Sequence, residues 1–151
     1  MAAVTADVDR DAKGEGRIAS YGINAAETRI YKGCPVSIDA SGYAVAGDDT
    51  TTTQFVGIAV EGVTVTSGGS DGDFTVRVYQ VGDFLMGWES GDAAITQVDD
   101  VVYIATNNDV EAADVTTNDI PCGVISKWVS TSEVWVRIDG YAPLQDQVIP
   151  S

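Results

Sequence analysis

Short stretches in which apolar residues alternate with polar ones constrain this chain more than any other feature. In DFTVRVYQ, Phe74, Val76 and Val78 fall on one side while Thr75, Arg77 and Tyr79 fall on the other. In EVWVRID, Val134, Val136 and Ile138 oppose Trp135 and Arg137. A period of two is the signature of a strand with one buried face. CPVSI, YAVA, FVGIAV, VTVT, VVYIAT and CGVISKWV extend the series. Gly and Asp punctuate it at DASG, SGGSDGD, VGD, ESGD and TNND. Ser41-Gly42 after Asp39 reads as a tight hairpin with a positive φ at the glycine. Many short strands at this spacing predict an all-β fold, a small barrel or sandwich, and 151 residues suffice for one real core.

Charge divides the chain. Residues 1–32 hold five basic groups (Arg10, Lys13, Arg17, Arg29, Lys32) and five acidic ones (Asp7, Asp9, Asp11, Glu15, Glu27), a net of zero. The remainder carries the whole formal charge of −15. Residues 1–17 show no periodicity, and Ile18, Tyr21, Ile23 and Ile30 are too sparse for an amphipathic helix. The expectation is an extended N-terminal arm over 1–28 that orders on a partner, a barrel body over 29–140, and an extended C-terminal tail over 141–151. Phe55-Val56-Gly57-Ile58-Ala59 and Pro121-Cys122-Gly123-Val124-Ile125 form a faint internal echo, read as two barrel strands that bend alike at a glycine.

Several chemistries lack their reagents. There is no histidine, so a Ser-His-Asp or Cys-His centre cannot be built. Two cysteines, Cys34 and Cys122, cannot make a structural zinc site, and without a secretory leader they are expected as reduced, buried hydrophobes. A charge of −15 opposes nucleic-acid binding. No apolar run is long enough for a membrane span. Acidic turns such as Asp71/Asp73, Asp48-Asp49 and Asp99-Asp100 lack the spacing of a calcium loop, and such residues more often bond their own backbone. Tyr79, Trp88, Trp128 and Trp135 are candidates for a sugar-stacking platform but are expected in cores and seams. No catalytic residue, cofactor or metal is expected.

The order of the segments resembles a known family. RIYKGCPVSIDASGYAVAG is followed by FVGIAVEGVTVTSGGSDGDFTVRVYQVGDFLM, then VVYIATNNDVEAA, PCGVISKW and EVWVRIDG. Over residues 29–139 this is similar to the capsid cement (decoration) proteins of tailed bacteriophages. The resemblance implies a small β-barrel or β-tulip-like domain without enzymatic activity, made in the host cytoplasm and placed on the outer surface of the virion capsid. It implies as partners the major capsid protein and further copies of the chain in a homotrimer, with no nucleic acid and no membrane. The arm is then the expected capsid contact. Ile18, Tyr21, Ile23, Ile30 and Tyr31 are its apolar anchors, and Arg17 and Arg29 its ion-pair donors. Deleting residues 1–28 is expected to abolish shell binding and leave the barrel folded. A tail-tube or head-completion component and a carbohydrate-binding adhesive domain are the alternatives.

Overall fold

The computed structural model describes residues 3–10, 12–13, 17–66, 69–112 and 115–139. The tail expected over 141–151 lies outside the described residues. The fold is all-β, as the alternation predicts, with one short 3₁₀ turn among the described residues, at Ile95–Gln97. No helix among the described residues is long and apolar enough to cross a membrane.

The strands form two five-stranded units of the same design. The first uses β2 (Ile18–Gly22), β4 (Pro35–Ile38), β5 (Ala44–Ala46), β6 (Gln54–Ala59) and β8 (Thr75–Tyr79), in the order β2-β8-β6-β4-β5. A single parallel bridge between Ile23 and Ala44 brings its two edges together. The second uses β9 (Val81–Trp88), β10 (Val101–Ile104), β11 (Asp109–Glu111), β12 (Pro121–Ser130) and β13 (Glu133–Asp139). It closes completely, because β9 pairs with β11 on one side and with β13 on the other. Three short strands, β1 (Ala12–Lys13) and the ribbon of β3 (Arg29–Ile30) with β7 (Val63–Thr64), complete the described set.

The echo around Gly57 and Gly123 is the visible part of a repeat in strand pairing. Adding 66 to each number turns Val36–Gly57, Ser37–Phe55 and Ile38–Ala44 into Val102–Gly123, Tyr103–Pro121 and Ile104–Val110, all observed pairs. The register shift falls after Val36 in one unit and after Val102 in the other. Adding 65 along β2 turns the Ile23 side of the Ile23–Ala44 bridge into Trp88, whose parallel partner is Val110. One pairing plan therefore serves both halves.

Each unit has its own apolar filling. Ile23, Ile30, Val36, Ala44, Ala59, Val76 and Val78 fill the first. Phe84, Met86, Trp88, Val102, Ile104, Val110, Ile125, Val134, Val136 and Ile138 fill the second. Phe55 and Ile58 of β6 join the second cluster, and the Tyr79 and Phe84 rings lie 5.8 Å apart between centroids. The units are thus welded along β6 and the β8–β9 junction. The DASG hairpin is as the sequence predicts: Gly42 has φ +87°, and Asp39 accepts from the backbone N–H groups of Ser41 and Tyr43.

Candidate functional site

The structure lays the N-terminal segment along the body. β2 pairs over its whole length with β8, from Ile18–Tyr79 to Gly22–Thr75. Ile23 is 1% exposed and belongs to the first core, so the boundary expected at 28/29 is no structural break. A five-residue edge strand needs few inward residues, here Ala19 and Tyr21, which explains the sparse apolar pattern. Deleting residues 1–28 removes a barrel strand, so the expectation that the barrel survives that deletion is corrected.

The seven expected contact residues divide accordingly. Ile23 and Ile30 are core residues, fully enclosed by the first barrel, and are unavailable as surface anchors. Arg29 is engaged within the chain: its guanidinium donates to Asp7 at 2.7 Å and to the Thr64 hydroxyl, and lies 5.2 Å from the Tyr31 ring centroid. Tyr31 is half-buried beneath that guanidinium. Tyr21 is half-buried, and its hydroxyl accepts from Gln80 Nε2. Arg17 reaches the same glutamine, donating from Nε to Oε1 at 2.8 Å. Ile18, 47% exposed, is the large apolar side chain of the seven that faces outward. Arg17 and Ile18 are therefore the pair the structure presents.

Two pairs of opposite charges within residues 1–32 meet across the seam of this segment and the body. Asp7 meets Arg29 and the Lys32 backbone N–H, which hold its carboxyl below the usual range, and Asp9 meets Lys32 Nζ at 2.8 Å. Arg10, missed in the sequence, is the strongest fastening. Its guanidinium donates to the Gly33 carbonyl beside the first barrel, and to the Leu85 carbonyl and Asn108 Oδ1 of the second. Burial depresses its basicity, with Asp109 and Glu133 opposing that. Val4 and Asn107 exchange two hydrogen bonds, and the Val8 N–H donates to the Lys32 carbonyl. A Cβ at Gly33 would stand 2.5 Å from the Val8 carbonyl oxygen, so the glycine of YKGC admits this segment. That glycine is the one sequence signal of the docking.

The acidic residues do structural work. Asp49 joins loops of the two units, accepting from Thr117 N, Asn118 N and Asn118 Nδ2 at 2.7 to 3.0 Å. Desolvation pushes its carboxyl up, and those bonds outweigh it, leaving the group below its ordinary value. Asp71 and Asp73 likewise accept backbone N–H groups. Among the described residues no three His, Cys, Asp or Glu side chains converge on a metal position. Cys34 and Cys122 are free and buried; desolvation pushes Cys34 up to about 11 and raises Cys122 as well. Trp88 is buried in the second core, and half-buried Trp128 packs against that core with its Nε1 donating to the Ala93 carbonyl.

Asp109 is the carboxylate pushed furthest up. Burial first, and then the facing Glu89 carboxyl, raise its pKa to about 6, while the Thr106 hydroxyl opposes the shift. A carboxyl whose folded pKa exceeds its unfolded value holds its proton better when folded. Its contribution is complete below the unfolded value and is lost as pH rises through the folded one. Asp109→Asn, which keeps an acceptor for Thr106 and supplies N–H groups toward Glu89, is expected to gain stability relative to the parent as pH rises from about 4 to 6. The gain then holds above that window. Urea titrations of both proteins at pH 4, 5, 6 and 7.5 check this; a difference independent of pH refutes the raised Asp109 carboxyl.

A cleft of about 550 Å³ opens between Asn24, Glu27, Asp39, Asp48, Thr50 and Asn107. Desolvation raises the Glu27 carboxyl there, and an Ala46 backbone bond partly offsets it. No protein-family model, curated protein or solved structure matches the chain.

Proposed function

We propose that the protein is a non-catalytic decoration protein. It binds the outer face of a mature, expanded phage head as a homotrimer and bridges neighbouring major capsid subunits. The carrying observation is where the resembling segments fall. RIYKGCPVSIDASGYAVAG covers β3 to β5, FVGIAVEGVTV covers β6 and β7, FTVRVYQVGDFLM covers β8 and most of β9, and the last three cover β10 to β13. The likeness thus follows the folded strands in order. A ligand that binds the expanded state stabilises it by mass action, and several contacts per trimer let modest single contacts suffice. The surplus of carboxylates keeps crowded copies soluble.

Co-sedimentation with expanded heads stripped of this protein tests the reading. Saturable binding to expanded heads, with little to unexpanded precursors, is expected; no binding to either rejects it. Because Arg17 and Ile18 face outward, Arg17→Glu with Ile18→Asp is expected to weaken shell binding about tenfold while leaving the melting temperature near that of the parent. Unchanged binding moves the contact away from β2.

A further inference from the structure

The two units part company at one outer position of their shared plan. Adding 66 along β6 and 58 along β8 turns Ile58–Tyr79 and Ala59–Val78 into Val124–Arg137 and Ile125–Val136, both observed pairs. The same steps carry Glu61 to Lys127 and Arg77 to Trp135. In the first unit that position is a closed ion pair, Arg77 donating to both Glu61 carboxylate oxygens at 2.8 to 3.3 Å. In the second, Lys127 stands opposite Trp135, and Arg137 lies two residues along the same outer face. Arg10, Arg17, Arg29, Lys32 and Arg77 each donate to a side-chain or carbonyl partner. Among the described residues the exposed Lys127 and Arg137 side chains donate to none. Asp83 and Asp139 neighbour Arg137 without forming an ion pair with it, and Glu133 at the end of the row acts on Arg10. Residues 33–151 hold just Arg77, Lys127 and Arg137 as basic groups, so two of the three flank one half-buried indole.

A matching surface lies across β12. Residues 92–100 run along the edge of β12 that faces away from β13. Ala93 N donates to the Thr131 carbonyl, Trp128 Nε1 to the Ala93 carbonyl, and Asp99 N to the Ile125 carbonyl. These bonds fix the 3₁₀ turn. Ile95 stands on it 66% exposed, the most exposed large apolar side chain among the described residues. Asp92, Asp99 and Asp100 flank it in sequence, are exposed, and accept no hydrogen bond at their carboxylates among the described residues. An apolar knob among three carboxylates complements, in charge and in polarity, an indole between two cations. Among the described residues no ion pair joins the two surfaces within one chain.

We infer that a second copy of this chain seats its Ile95 turn on Trp135, with Asp92, Asp99 and Asp100 meeting Lys127 and Arg137. Trp and Arg are the side chains that most often carry interface energy, and ion pairs around them fix register and steer encounter. Each copy offers both surfaces, so the contact can pass from copy to copy around a closed ring. A chain with a formal charge of −15 repels its own copies in most orientations. That repulsion favours the orientation that brings two otherwise unengaged cations to the seam. The contact rests on the self-association in the proposed function and supplies its surfaces.

Analytical sedimentation of the full-length protein between about 1 and 100 µM tests the contact. The parent is expected to associate in that range, and more weakly as salt rises. Lys127→Glu with Arg137→Glu is expected to raise the dissociation constant at least about tenfold and leave the melting temperature near the parent's. Asp92→Lys with Asp100→Lys is expected to do the same; Asp99 is left alone because its φ of +77° suits few side chains. Joining all four changes in one chain exchanges the charges across the seam. That chain is expected to recover association to within about threefold of the parent. A parent that stays monomeric to about 100 µM overturns the contact, while co-sedimentation with expanded heads still decides the capsid reading. A parent that associates but is indifferent to both charge variants also overturns it, and leaves self-association to another surface. Loss in both variants without recovery in the combined chain overturns the pairing of these two surfaces.

Discussion

Arg10→Ala is expected to lower stability by about 3 kcal/mol, which for a chain of this size is a fall in melting temperature of about 10 °C. The guanidinium donates to three acceptors on both sides of the seam, the Gly33 and Leu85 carbonyls and Asn108 Oδ1. Charge-assisted bonds of this kind contribute more than neutral ones, and removing the donor leaves acceptors stranded beside apolar surface. Two effects hold the loss at that level: burying the charge already carries a desolvation cost, and water can reach part of the space left behind. Arg10→Lys is expected to recover less than half, because one ammonium cannot span a fork of acceptors. Protease cleavage within residues 3–10 should accelerate in both variants. A melting temperature within about 2 °C of the parent for Arg10→Ala shows that the seam holds without it.

Arg10 also marks where reading the sequence stops. The alternation in DFTVRVYQ and EVWVRID, and the DASG turn, are local: each residue's partner is set by a period of two or a four-residue loop. Docking of residues 3–10 is not local. Its contacts are Asp7 with Arg29, Asp9 with Lys32 and Val4 with Asn107, across separations that leave no periodic trace. A segment held by hydrogen bonds and ion pairs looks, in composition, like one held by nothing. Trp88 is obscure for another reason. It takes the position in the second unit that Ile23 takes in the first, an inward site at the closing bridge, and only the repeated pairing reveals this. The repeat is itself concealed because a pairing plan constrains backbone register. Ser37 can stand where Tyr103 stands, and Val45 where Glu111 stands, so long as each suits its own interior.

The glycines of the echo escape that freedom, and alanine at either one is expected to be costly. A Cβ on Gly57 would lie 2.3 Å from the Tyr79 carbonyl oxygen, and one on Gly123 2.4 Å from that of Arg137. Each would also press a valine of the adjoining strand, Val78 at 2.9 Å or Val136 at 2.8 Å. The opposing oxygens belong to paired strands, so relief requires moving a ladder rather than turning a side chain. Gly57→Ala and Gly123→Ala are each expected to cost about 3 kcal/mol, at the upper end for overpacking. Gly42→Ala is the control: with φ at +87° and nothing within 4 Å of the added carbon, it bears only the backbone penalty of about 1 kcal/mol. Urea midpoints at unchanged m values give all three. Costs at Gly57 and Gly123 no larger than at Gly42 refute the close approach. Gly57 also holds a φ of +157°, a conformation L side chains rarely adopt, so alanine there should cost at least as much as at Gly123. A clearly smaller cost at Gly57 means that the units share a pairing plan without sharing its tightest contact.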